Sequence, residues 1–266
     1  MPNCIVIKTS CHPHKKRRSL ASANAFSTDS QNHLIAFNTR RPSKVIARFV
    51  ITGLQPGEVI VGLDFRPANG VLYALGSTSR IYTLALPLLV KSKLIAATQI
   101  GSGPFTPALE GTAFGFDFNP TVDRIRIVSN TGQNLRVNPD TLAVIVDTSI
   151  APPTTVVGAA YTNSFSGATS TTLYVLASNN NTLAIQSPPN DGVITTVGPL
   201  NVLIDDHTGF DITSATNNAY AVFTRFGKSY LYSIDLGTGN ATIIGAIGCR
   251  RSYLLNTLAI RVPLLL

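Results

Sequence analysis

Short stretches in which apolar and polar residues alternate recur along most of the chain, separated by Gly, Pro, Asn and Asp. A period of two is the signature of a strand that buries one face. Stretches such as VLYAL (71–75), RIYTL (80–84), DRIRIV (123–128), TLYVLA (172–177), NAYAVF (218–223) and SYLYSID (229–235) therefore predict β-strands. PANG, NTGQ, PPNDG, TNN and GTG lie between such stretches and predict turns.

The strands fall into repeats. Three tetrads share the form Gly-apolar-Asp-apolar: GLDF (62–65), GFDF (115–118) and GFDI (209–212). GAAYT (158–162) and TLAI (257–260) are degenerate copies, with Ala160 and Ala259 where the others carry Asp. The steps between equivalent positions are 53, 43, 51 and 48 residues. Three more strand-like segments follow each of the first four copies, and three of the closing segments end alike, in TQIG, TTVG and TIIG. Four strands per repeat of about 45–50 residues is the pattern of a β-propeller blade. The fifth repeat is split: TLAI supplies its first strand, a weak strand near NAFST (24–28) its second, and HLIAF (33–37) and KVIARFVI (44–51) the rest. The expected fold is all-β: a five-bladed propeller of four-stranded blades, closed by N- and C-terminal strands sharing one blade. One domain is expected over 31–262, after a disordered basic tail at 1–30.

Four stretches carry a family resemblance: ITGLQPGEVIVGLDFRPANGVLYALGS, GFDFNPTVDRIRIVSNTGQNLRVNPDT, AAYTNSFSGATSTTLYVLAS and LYSIDLGTGNATIIG. Together they resemble the bacterial domain of unknown function 4394 family, over about Leu34 to Ile260. The resemblance implies a propeller-like fold and a bacterial, often exported protein, with no established activity to carry over. The chain departs from the family pattern in residues 1–30, in the apolar run ALPLLVKSKLIAAT (85–98), and in the closing segment CRRSYLLNTLAIRVPLLL.

Charge refines this picture. Residues 1–50 hold nine Lys/Arg against one acid, while the other 216 residues hold twelve of each sign. The net charge of +8 is thus a property of the N-terminal segment, where Lys15-Lys16-Arg17-Arg18 reads as a solvated tail in preference to a nuclear address or nucleic-acid arm. The rest of the chain lacks the basic stripe with interleaved aromatics that nucleic acid requires. No apolar run reaches the roughly 18 residues of a membrane span, and the N-terminus lacks the order of a secretory signal. Three cysteines, Cys4, Cys11 and Cys249, imply no disulfide framework. Cys4, Cys11, His12 and His14 fit no closed zinc site.

The candidate chemistry lies in the tetrads and the segment after the second. Asp64, Asp117 and Asp211 alternate with large apolar residues, and a carboxylate buried that way needs hydrogen bonds or a counter-charge. They are expected to brace neighbouring blades; as the one candidate metal set, they would suit Ca²⁺. Asp117→Asn is expected to cost about 1–3 kcal/mol. Arg66 and Asn119 follow the first two tetrads at one offset, and Arg66 is expected to pair with an acid of a neighbouring blade. Arg124 and Arg126 share a strand face that Arg136 on the next strand could join, forming an anion clamp near Asn130, or a seam closed by Asp123, Asp140 or the tetrad carboxylates. Asp205, Asp206 and His207 read as an exposed acidic loop.

No nucleophile elbow, HExxH or Walker loop is present. Low charge and Ser/Thr/Asn-rich loops favour a non-enzymatic binding or scaffold module for surface or extracellular recognition. Its partner would be a protein, a glycan or a small anionic ligand, held at the loops or a central funnel, and no cofactor is expected. The alternative is a metal-dependent hydrolase or lactonase-like propeller enzyme with a carboxylate site in the channel.

Overall fold

The computed structural model of the chain describes residues 19–214, 216–249 and 251–261. Its strands, in chain order, are β1 (Ala25–Thr28), β2 (His33–Phe37), β3 (Ala47–Thr52), β4 (Ile60–Phe65), β5 (Leu72–Gly76), β6 (Arg80–Leu84), β7 (Leu94–Gln99), β8 (Phe114–Asn119), β9 (Arg124–Ser129), β10 (Asn134–Val137), β11 (Val144–Val146), β12 (Val156–Tyr161), β13 (Leu173–Ala177), β14 (Thr182–Gln186), β15 (Ile194–Pro199), β16 (Thr208–Ile212), β17 (Ala219–Arg225), β18 (Lys228–Ile234), β19 (Ala241–Ala246) and β20 (Ala259–Ile260). Helical turns among the described residues are short 3-10 segments at Leu20–Ser22 and Pro189–Asp191. None of the helices there is long and apolar enough to cross a membrane.

Strands β8–β11, β12–β15 and β16–β19 form three four-stranded sheets. The other eight strands form one sheet in the order β20-β1-β2-β3-β7-β6-β5-β4. It consists of two antiparallel four-strand runs joined by their outermost strands, since β3 and β7 pair in parallel through Val50↔Leu94, Ile51↔Ile95 and Thr52↔Ala96. The apolar run at 85–98 leads into β7 and ends within it. Apart from the β20–β1 junction, each run is a meander of consecutive strands.

Burial falls from first strand to last. β12 is buried at every residue, whereas β11 and β19 hold no buried residue. First strands lie between neighbours on both faces, which is why they read as continuous apolar runs interrupted by small residues. They also pack on one another in a cycle: β4 on β8, β8 on β12, β12 on β16, β16 on β20, and β20 on β4. The tetrad glycines make this approach possible. A Cβ on Gly115 would stand 2.4 Å from the Ala159 Cβ, and one on Gly209 would stand 2.3 Å from the Thr257 backbone carbon.

The two chain ends meet in one run. β20 pairs with β1 through Ala25↔Ile260 and Phe26↔Ala259, and Thr28 N donates to Thr257 Oγ1 at 2.8 Å. This corrects the expected tail boundary. Ala25–Thr28 is a fully buried strand, so residues 19–30 are part of the fold; 1–18, with the basic run, Cys4, Cys11, His12 and His14, lie outside the described residues. NAFST reads weakly because a short strand buried on both faces needs small residues more than β-branched ones.

Candidate functional site

Each tetrad aspartate occupies the same place in its strand: Asp64 in β4, Asp117 in β8 and Asp211 in β16. All three are buried, and carboxylate oxygens from the three lie within 4.8 Å of one another. Alternation sends Phe116 and Phe118 the other way, into a cluster where Phe118 meets Tyr73 edge-on at 5.0 Å.

Each acid also holds the next first strand in the cycle. Asp64 Oδ2 accepts from Phe118 N at 2.8 Å, Asp117 Oδ1 from Tyr161 N at 3.2 Å, and Asp211 Oδ2 from Ile260 N at 2.5 Å. Asp64 and Asp211 use their second oxygens on their own strands, accepting from Phe65 N and Ile212 N at 2.6 Å each. Bracing and convergence were opposed alternatives at the level of sequence; the geometry combines them.

Three acids so close cannot all ionise cheaply. Burial raises Asp117, and Asp64 and Asp211 push it further; the Tyr161 N–H opposes them. Burial, then Asp211, raises Asp64 well above the usual carboxylate range. Asp211 is pushed up to about 7 by burial, against the pull of its two backbone N–H bonds.

Between the tetrad glycines the axis encloses about 10 Å³, room for about one water. At this level the glycines that let first strands touch leave no room for a larger ligand. A cavity of about 950 Å³ lies elsewhere, lined in part by Phe65 and Ile260 at the ends of β4 and β20.

Arg66 is buried just after β4 and reaches the neighbouring sheet. Its Nε and NH2 donate to Asp123 at 2.9 and 2.5 Å, and its NH1 and NH2 to Asp140 at 2.6 and 2.9 Å. These bonds, Asp123 first, raise the guanidinium pKa further, and hold Asp140 below the usual carboxylate range. Asp123 sits in the left-handed region with φ 50°, one its residue type tolerates.

The three-arginine clamp does not assemble. Arg126 and Arg136 are direct cross-strand partners, and the anion they grip is Asp147 of the same chain. Arg126 NH1 donates to it at 2.6 Å, Arg136 Nε and NH2 at 2.7 Å each. Burial alone would raise Asp147, yet Arg136 and Arg126 outweigh it and bring it below the ordinary value. Arg126 also donates to Asn134 at 2.7 Å and Asn190 at 2.6 Å, tying two sheets together. Arg124 turns to the backbone, donating to Asp123 O at 2.9 Å.

The remaining candidates are spread out. Asn119 caps its turn by accepting from Thr121 N at 3.0 Å. Asn130 accepts from Thr112 N at 3.0 Å in another loop, and His207 N donates to Asp205 in an exposed one. Sequence reasoning missed Asp147, Asn190 and Glu58. Glu58 is buried and accepts from Tyr82 Oη and Thr78 Oγ1 at 2.5 Å each. Only the ending of AVIVD hinted at Asp147; nothing in the pattern marked Asn190 or Glu58.

A family model described as a domain of unknown function, DUF4394, matches residues 33–258. No curated protein matches the sequence. Among solved structures the chain is similar to one from the nidogen/laminin complex, at 13% identity and a TM-score of 0.53, over 90% of this chain and 98% of that one. It is also similar to a putative 6-phosphogluconolactonase from Bacteroides uniformis ATCC 8492, at 10% identity and a TM-score of 0.44, over 86% and 83% of the two chains. The first likeness supports a propeller-like all-β fold.

Proposed function

The chain belongs to the DUF4394 family, and from that premise we propose that it is a five-bladed β-propeller serving as a non-enzymatic binding or scaffold module. The closed cycle of first strands, each opening a four-strand meander, supports the blade count. The observation that carries the module reading is how the axial acids are used. Five backbone N–H groups already bond the oxygens of Asp64, Asp117 and Asp211, and three of those bonds join one first strand to the next. The acids act as braces, and the passage beside them admits about one water. A protein, glycan or small anionic partner would bind at the loops or in the larger cavity.

A metal-dependent hydrolase is favoured by one fact, the convergence of the three acids within 4.8 Å. Ca²⁺ takes six to eight oxygen ligands, so it would need several oxygens beyond these carboxylates. A panel of esters and lactones, offered with Ca²⁺, Mn²⁺ or Zn²⁺, separates the two. The module predicts no turnover above that of Asp117→Asn; metal-dependent turnover abolished by that change would establish the hydrolase instead.

A further inference from the structure

A cavity of about 950 Å³ lies where three parts of the chain meet. Its wall combines the segment before β1, the ends of β4 to β6 with the apolar run at 85–88, and the turn after β16. The size suits a small organic ligand. Leu20, Phe65, Leu72 and Leu84 make it largely apolar, and the lining contains two arginines, Arg40 and Arg261, and no acid.

Arg261 is the unusual member. It follows β20 directly, is half-buried, and its guanidinium lies over the Phe26 ring at 4.9 Å. NH1 donates one long hydrogen bond, to Leu20 O at 3.4 Å. Among the described residues no carboxylate stands within ion-pair distance of it, whereas Arg66, Arg126 and Arg136 all hold Asp partners. A guanidinium offers five N–H donors in a planar fork that matches a carboxylate. Burial also lowers its pKa, the mark of a cation short of compensation.

We propose that this cavity binds a small amphipathic carboxylate, its apolar body against the leucine-lined wall and its carboxylate paired with Arg261. The inference rests on the binding-module reading and names its ligand chemistry. Charge complementarity selects the anion: a neutral amphiphile would fill the same apolar space and leave the guanidinium unpaired.

Calorimetric titration of the full chain with dodecanoate and with dodecanol, below their aggregation limits, tests it. Dodecanoate should bind once per chain, about tenfold or more tighter than dodecanol, as a charge-assisted hydrogen bond allows. Arg261→Met should erase that preference while leaving dodecanol binding in place. Ala85→Glu, an acid added at an exposed position of the lining, should weaken dodecanoate selectively and keeps the test readable if Arg261→Met fails to fold. Equal affinities for the two probes, or an unchanged preference in either variant, would overturn the proposal and leave the module reading standing. Metal-dependent hydrolase turnover would instead overturn the module reading on which the proposal rests.

Discussion

Asp64 accepts a hydrogen bond from the backbone N–H of Phe118 at 2.8 Å, across 54 residues of sequence. That is one repeat plus one position, so the carboxylate of one repeat fastens the first strand of the next. Asp117 with Tyr161 and Asp211 with Ile260 repeat the relationship.

Asp64→Ala should therefore leave Phe118 N–H and Phe65 N–H buried without their acceptor. The expected loss of stability is about 1–3 kcal/mol for such a deletion, measured by urea unfolding. A smaller loss would mean that water, not the carboxylate, satisfies those groups.

The shared burial of the acids predicts a pH dependence. Asp211 rises from 3.8 to about 7, and Asp64 and Asp117 rise too, so in that window the native state binds protons that the unfolded chain releases. Stability then falls as pH increases from about 4 through about 7. Asp140 and Asp147 are depressed, so their contribution is present above the unfolded carboxylate value and lost as pH falls through their folded values. The melting temperature should peak under mildly acidic conditions and decline toward pH 8. Asp117→Asn keeps an oxygen for Tyr161 N–H but removes a charge, so it should flatten that decline and cost little near pH 8, contrary to expectation from sequence. A flat wild-type profile, or a large upward shift with added Ca²⁺ at pH 8, would contradict this.

Arg126 is one of the largest fully buried side chains. Arg126→Met should strand the Asn190 side-chain oxygen, leave Asn134 Oδ1 with a longer bond from Gln186 at 3.3 Å, and leave Asp147 with Arg136 alone. A loss of about 3–5 kcal/mol is expected for breaking a buried pair from one side. Pairing Arg126→Met with Asp147→Asn in a double-mutant cycle checks it, because the two losses should be far from additive.

Removal of residues 1–28 takes away β1, whose partners are β2 and β20. Both ends of the chain would then lose their junction, and the cooperative melt should broaden or disappear. An unchanged thermal transition would show that β1 is dispensable for closure.

The amino-acid sequence by itself determined the repeat: its Gly-apolar-Asp-apolar starts, its four alternating segments and the sharing of a final unit by both ends. Strand period and turn chemistry are local properties, readable from neighbours in the chain. The pairing of Arg66 with acids of the next sheet was legible for the same reason, since equivalent positions recur at fixed offsets. Tertiary structure alone decided which distant groups meet. Arg126 and Arg136 read as a clamp or a seam without their true partner because nothing in sequence placed Asp147 between them, and β1 read as no more than a weak strand inside an expected tail because its burial depends on β20, more than 200 residues away. The parallel β3–β7 joint and the cavity beside Arg261 were likewise invisible: both arise where segments distant in the chain come together, and no local pattern encodes that meeting.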